Sequence, residues 1–237
     1  MSEAVLETLL SEGLAQLGLQ PDAAALPRLR RYYELLEEQS KVMNLTAIHG
    51  EADVARLHFL DCAALLSLVP LEGRVIDVGS GAGFPGLVLK ILRPELELTL
   101  LDSLDKRVRF LAAVCGELEL HDVQCLHARA EEAPAQLRES FDAAVSRAVA
   151  RLDLLSELCL PFVRPGGRFV AMKGPGAVEE LEAARRAISL LGGEAEGCKA
   201  YPVPGTELNH CAVLVKKIAL TPKKYPRKWG QMKKQPL

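Results

Sequence analysis

Apolar residues set the first rhythm of the chain. Val5, Leu6, Leu9, Leu10, Leu14 and Leu17 recur at the spacing of one helix face, and Ser2 is positioned to cap its start. Gly18 and Pro21 end that helix. A second stripe, Leu29, Tyr32, Tyr33, Leu35 and Leu36, predicts a helix from about Pro27 to Lys41. After a loop holding Asn44-Leu45-Thr46, a third helix is expected from about Glu51 to Leu68, stopping before Pro70.

Beyond Gly73 the rhythm changes to short apolar runs alternating with amphipathic stretches. Strands are expected at Arg74–Val78, Leu96–Leu101, Val123–His127, Asp142–Ser146 and Arg168–Met172. Helices are expected between them at about Pro85–Leu92, Lys106–Glu117, Glu132–Arg138 and Leu152–Phe162. This alternation means a parallel sheet covered on both faces. A further helix, Val178–Leu191, leads to two strands, about Gly197–Pro202 and Asn209–Lys216. Their short connection, Val203–Leu208, predicts an antiparallel hairpin at the sheet edge. The expected organisation is a helical segment over residues 1–70 packed on the core, an α/β domain over 71–217 and a basic tail over 218–237.

Composition narrows the class. Of 237 residues 49% are hydrophobic and 25% charged, as in an ordinary globular protein. No apolar run approaches the ~20 residues that span a bilayer, and Met1-Ser2-Glu3-Ala4 lacks the basic start of a signal peptide, so a cytoplasmic location is expected. Cys62, Cys115, Cys125, Cys159, Cys198 and Cys211 include no C-x-x-C pair, which points to reduced, mostly buried thiols and no metal site. The net charge of −2 hides an asymmetry. Eight of the 29 basic residues lie from Lys216 onwards with no acid among them, which leaves 21 against 31 acids, a net −10, on residues 1–215. A basic end on an acidic body suggests a polyanion partner; the alternative is a solvated tail.

The most informative stretch is Val75-Ile76-Asp77-Val78-Gly79-Ser80-Gly81-Ala82-Gly83-Phe84-Pro85-Gly86. It reads as a buried strand, a glycine-dense turn and a helix start, the arrangement by which a parallel α/β sheet holds an adenosine-containing cofactor. Asp77, inside the strand end, would repel a pyrophosphate and suits a cationic ligand such as S-adenosyl-L-methionine; the alternative is a structural acid capping loop amides. Asp102, at the tip of the second strand, is positioned for both ribose hydroxyls or to cap the next helix. Ala130 and Glu131 follow the third strand, where a methyltransferase loop meets adenine; an acid favoured by a helix N-terminus is the alternative. The fourth strand ends in Ser146-Arg147-Ala148, without the Asn/Asp-Pro-Pro-aromatic turn of amine methylation, and the chain has no Pro-Cys pair for carbon methylation. Guanine N7 needs neither, because it has a lone pair and no proton to remove.

The chain resembles the ribosomal small-subunit methyltransferase G family (RsmG, or GidB) in three blocks. These are Asn44-Leu45-Thr46-Ala47-Ile48 with His58-Phe59-Leu60-Asp61, Asp77–Gly86 with Leu101-Asp102-Ser103 and Lys106-Arg107, and Ser146-Arg147-Ala148 with Met172-Lys173-Gly174. The tail Thr221-Pro222-Lys223-Lys224-Tyr225-Pro226-Arg227-Lys228 is similar to the family's basic end. The resemblance implies a class I S-adenosylmethionine-dependent methyltransferase fold, Rossmann-like, with a mostly parallel seven-stranded sheet and an antiparallel edge hairpin. It implies methyl transfer to N7 of guanosine 527 in the 530 loop of 16S rRNA. The expected cofactor-binding residues are Asp77, Gly79, Gly81, Gly83, Phe84, Asp102, Ser103, Ala130, Glu131 and Arg147, with no acid–base residue and no metal. Arg147 and Lys173 are candidates to position the base. The expected RNA contacts are Lys106, Arg107, Lys173, His210, Lys223, Lys224, Arg227 and Lys228. His58 is expected as a satisfied half-buried histidine, with base stacking the alternative. The partner implied is 16S rRNA, the small subunit or its precursor. Two positions depart from the family pattern: Asn209 stands where the family usually has arginine, and Met232 where it generally has proline, which predicts a looser tail or a new RNA contact by Trp229. A small-molecule methyltransferase, a nicotinamide oxidoreductase and a non-catalytic RNA-binding module remain as rival readings.

Overall fold

A computed structural model describes residues 3–147 and 149–237. Ser2, the expected helix cap, and Ala148 of the Ser146-Arg147-Ala148 turn lie outside the described residues. The chain opens with α1 (Glu3–Gln16) and α2 (Ala25–Ser40), then α3 (Glu51–Val54), a π-helical turn (Ala55–Leu60) and α4 (Asp61–Leu68). The expected third helix thus carries a π turn in its middle. The sheet then alternates with helices: β1 (Arg74–Val78), α5 (Gly86–Leu92), β2 (Glu97–Asp102), α6 (Asp105–Glu117), β3 (Val123–His127), β4 (Phe141–Arg147), α7 (Leu152–Cys159), β5 (Val163–Lys173) and α8 (Ala177–Leu190). An edge pair, β6 (Gly193–Pro202) and β7 (Asn209–Lys217), and a short α9 (Trp229–Lys234) complete it.

The seven strands lie in the order β3-β2-β1-β4-β5-β7-β6. β1 to β5 pair in parallel, while β7 runs antiparallel to both β5 and β6. The chain winds outward from β1 to β3 and then returns to β4, so a crevice opens beyond the carboxyl ends of β1 and β4, where α/β sheets bind ligands. The period-two alternation of strands divides the core. Val75, Leu98 and Leu100 face one layer with α1, α2, α4, α5 and α6, whereas Ile76, Val78 and Leu101 face the other with α7 and α8. Burial on both faces explains why these strands read as continuous apolar runs.

Three expectations need correction. No α-helix forms over Glu132–Arg138; two 3-10 turns, Ala130–Glu132 and Ala135–Leu137, flank Pro134. Proline disfavours helical geometry in the residue before it, and Ala133 is extended at φ −63°, ψ 152°. The thiols are all free, but only Cys62 and Cys159 are fully buried; Cys115 and Cys125, their sulfurs 4.0 Å apart between α6 and the outer strand β3, are among the four half-buried ones. Finally, the C-terminal segment is not a loose solvated tail. Thr221, Tyr225 and Met232 are buried in the layer that holds α7 and α8. Arg227 donates from Nε and Nη2 to Glu157 at 2.9 and 2.6 Å, and its amide donates to the same carboxylate at 2.8 Å. Arg138 donates to the carbonyls of Tyr225 and Thr221 at 2.8 and 2.5 Å. Met232, fully buried, fills this interface, contrary to the looser tail expected from its departure.

Among the described residues no helix is long and apolar enough to cross a membrane. Arg227 is the residue on which the tail's docking turns, because its removal strands the buried Glu157 carboxylate. Arg227→Met should lower unfolding stability by about 3 kcal/mol, and Arg227→Lys by less, measured by urea denaturation.

Candidate cofactor site

The glycine turn between β1 and α5 is held from three sides. The Gly79 and Ser80 amides donate to the Leu101 carbonyl at 2.8 and 3.1 Å, tying the turn to β2. The Ser146 hydroxyl on β4 donates to the Val78 carbonyl at 2.7 Å. From α2, the buried Tyr32 hydroxyl donates to the Ala82 carbonyl at 2.6 Å. Gly83 has φ 109°, and a Cβ there would lie 2.5 Å from both the Tyr32 hydroxyl and Leu87. Only glycine allows this backbone and this close approach of the first helices.

Asp77 sits beneath the turn, not in the cavity. Its side chain is fully buried, and Oδ2 accepts the Gly86 amide at 2.8 Å while Oδ1 has no partner. Burial pushes its carboxyl up to about 7, an effect the Gly86 hydrogen bond opposes. The geometry makes it the cap of the turn and of α5, so a carboxylate facing a cationic ligand is not what this strand end presents. Alternation along β1 aims Asp77 to the same side as Val75, into the helical layer.

Above the turn lies a cavity of about 430 Å³, a size suited to a nucleoside-containing ligand. Of the expected cofactor residues, Gly79, Gly81, Phe84, Asp102, Ser103, Ala130, Glu131 and Arg147 line it; Asp77 and Gly83 do not. Asp102 accepts the Gly81 amide on Oδ2 and the Leu104 amide on Oδ1, each at 2.9 Å. Each carboxylate oxygen retains acceptor capacity for a hydroxyl. Arg107, expected to track RNA, instead lines this cavity with Nη1 3.6 Å from Asp102. Its place on the first turn of α6 directs it back to the strand end. Leu45, Thr46, His58, Val149, Leu158 and Trp229 also line the cavity and were not foreseen as cofactor residues. Thr46 and His58 lie within the recognised motif blocks, which was the available signal.

A second cavity of about 490 Å³ shares His58 and Arg147 with the first and adds Ile48, Asp61, Met172, Lys173 and His210. The wall between them is a linked set. The Phe84 ring stacks on His58 at 4.2 Å, and the Arg147 guanidinium lies over the same ring at 4.9 Å. Arg147 donates to the Leu57 carbonyl at 3.1 Å, to His58 Nδ1 at 2.8 Å and to Asp61 Oδ2 at 3.3 Å. Guanidinium only donates, so Nδ1 of His58 is an acceptor and its proton resides on Nε2, which donates to the Thr46 hydroxyl at 2.7 Å. Burial and the Arg147 charge push His58 down to about 3, in keeping with a neutral ring. The half-buried structural histidine expected from the sequence is therefore a buried one at the edge of both cavities, and its ring stacks on Phe84.

Asp61 joins the cluster. Besides Arg147 it accepts the Tyr201 hydroxyl at 2.9 Å and holds His210 Nδ1 at 2.8 Å on Oδ1. The Asp61 hydrogen bond raises the His210 pKa. Lys173 donates to the Ala150 carbonyl and to Glu180, both at 2.7 Å, so it is neither solvated nor unpaired. Among the expected RNA contacts, Lys106, Lys223, Lys224 and Lys228 are exposed, whereas Arg227 is committed to Glu157. Among the described residues no cluster suited to a metal ion occurs.

The Asp77 environment has a measurable consequence. A carboxyl raised from 3.8 to about 7 keeps its proton in the folded chain where the unfolded chain has lost it. Folding then takes up a proton, so stability falls as pH rises between those values. Relative to Asp77→Asn, the wild type should lose a few kcal/mol of stability from pH 4.5 to 7.5, read by denaturant titration at each pH.

The family profile described as rRNA small subunit methyltransferase G matches residues 25–205. A ribosomal RNA small subunit methyltransferase G from Alkaliphilus oremlandii is 47% identical over 236 residues, covering 98% of this chain and 99% of that protein. Another of that name from Clostridium botulinum (strain Loch Maree / Type A3) is 49% identical over 210 residues, covering 87% and 88%. Among solved structures, a SAM dependent methyltransferase from Aquifex aeolicus superposes with a TM-score of 0.51 at 19% identity, over 70% of this chain and 94% of that one. A 16S rRNA (adenine(1408)-N(1))-methyltransferase from Catenulisporales acidiphilia gives 0.52 at 12% identity, over 62% and 88%. Likeness at these identities speaks for the class I methyltransferase fold with its seven-stranded sheet and edge hairpin. The sequence relatives go further, and by them the chain belongs to the rRNA small subunit methyltransferase G family.

Proposed function

We propose that the chain uses S-adenosyl-L-methionine to methylate N7 of guanosine 527 in the 530 loop of 16S rRNA, by in-line transfer without a general base. The first cavity fits the cofactor. Glycines bring backbone to its floor, Asp102 offers a ribose acceptor, and Ala130 and Glu131 line the side expected for adenine. When bound, the cofactor supplies a methyl group on a sulfonium.

The observation that carries the reading is the state of every candidate base around the second cavity. Asp61 is the one carboxylate among its lining residues, and Arg147, Tyr201 and His210 occupy it. His58 has its acceptor nitrogen bound by Arg147 and is a very weak base. His210 is biased toward its charged form, and the Lys173 ammonium is paired. Such a site cannot readily remove a proton from an exocyclic amine, but N7 has none to remove. Arg147, Lys173 and His210 offer donors suited to an unstacked guanine. The exposed Lys106, Lys223, Lys224 and Lys228 supply phosphate contacts, and the helical N-terminal segment helps to seat the RNA. A substrate of this kind places the protein in the cytoplasm.

Two measurements test this. Mass spectrometry of 16S rRNA from a deletion strain should show guanosine 527 without its N7 methyl, restored by the gene in trans; an intact mark would sink the assignment. In binding assays on small-subunit RNA, the triple variant Lys223→Ala, Lys224→Ala, Lys228→Ala should weaken affinity and reduce the slope of log K against log salt by about 2.

A further inference from the structure

The chain has a single tryptophan, Trp229, and it opens the short α9 in the basic C-terminal segment. The segment's charge marks it as a polyanion contact, yet Trp229 lines the first cavity together with Ala130, Glu131, Val149 and Leu158. The indole packs against the core layer that contains Leu158 and Tyr225, and remains half-buried. Its position does not depend on the indole itself. Arg227 on Glu157, the buried Met232 and the Arg138 hydrogen bond to the Tyr225 carbonyl hold the segment on both sides of it.

The cavity has two chemically distinct regions. His58 and Arg147 line both this cavity and the second one, so the end that transfers a group must lie by them. Trp229, Ala130 and Leu158 line only the first cavity. A ligand that fills the first cavity therefore touches these residues as well as His58 and Arg147. A half-buried indole beside Val149 and Leu158 offers a large flat π surface, which stacks well on a purine.

We infer that Trp229 is a cofactor-contacting residue that stacks on the adenine of S-adenosyl-L-methionine, making the C-terminal segment part of the cofactor site. The inference rests on the cofactor reading above. It also means that the helix presenting exposed Lys233 and Lys234 carries a wall of the cofactor cavity, so cofactor and polyanion meet on one segment.

The sole tryptophan makes the test direct. The full-length protein is titrated with S-adenosylhomocysteine while tryptophan emission and, separately, heat of binding are followed. A saturable emission change with the calorimetric Kd is expected. Adenosine alone at higher concentration should reproduce the change, and methionine should not. Trp229→Ala should weaken S-adenosylhomocysteine binding about tenfold, and Trp229→Phe should restore it to within about threefold of wild type. Calorimetric binding with unchanged emission and an unaltered Kd in Trp229→Ala would overturn the inference and leave the cofactor reading standing. An emission change with an RNA hairpin but none with S-adenosylhomocysteine would overturn it too, by assigning the indole to RNA. No heat of binding at all would instead remove the cofactor reading on which it rests.

Discussion

The buried pair between Asp61 and Arg147 joins the parts of this molecule that matter to one another. Asp61 begins α4, Arg147 ends β4, and the Tyr201 and His210 partners come from β6 and β7. One carboxylate therefore ties the first helices to the middle and the edge of the sheet. Such a charge is costly to desolvate and is tolerable only with its acceptor capacity filled. Here three donors from separate elements engage both of its oxygens. The same pair sets Arg147 over Phe84 and against His58, which makes the wall between the two cavities.

Around this pair the labour divides. The glycine turn lines the first cavity, and its shape is imposed by its neighbours: Tyr32 from α2, Leu101 from β2 and Asp77 from β1. The wall of Phe84, His58 and Arg147 separates the two cavities and sets a neutral histidine and a fixed guanidinium between them. The C-terminal segment, pinned by Arg227 and Met232, closes a further side. Residues 1–70 thus contribute directly to the site, through Tyr32, Thr46, His58 and Asp61.

Much of this was legible in the chain. The strands β1 and β3 match expectation and the edge pair is antiparallel as its short connection predicts; β2, β4 and β7 differ by one residue at their ends, whereas β5 and β6 begin five and four residues earlier than expected. No helix forms at Glu132–Arg138 because Pro134 keeps Ala133 extended, a local break inside a stretch that otherwise lies between two strands. Asp77 was read as facing a ligand because the sequence shows an acid near a glycine turn but not which way it points. Charge alone does not reveal a partner: Arg107 lies beside Asp102 at the first cavity, and Arg227 is paired with Glu157. Arg227 finds Glu157 seventy residues away in the chain.

By itself the sequence determined the class of fold, the glycine-rich turn after the first strand and the family. Those depend on local periodicity, on glycines that permit an unusual backbone, and on short motifs that survive without knowledge of contacts. Only the tertiary structure decided the roles of individual charges and rings. Whether an Asp caps a turn or lines a cavity, whether an Arg is free or pairs with a buried Glu, and whether the lone tryptophan faces solvent or a cavity are set by burial and by partners far apart in the chain. Those quantities come into being only when the layers pack.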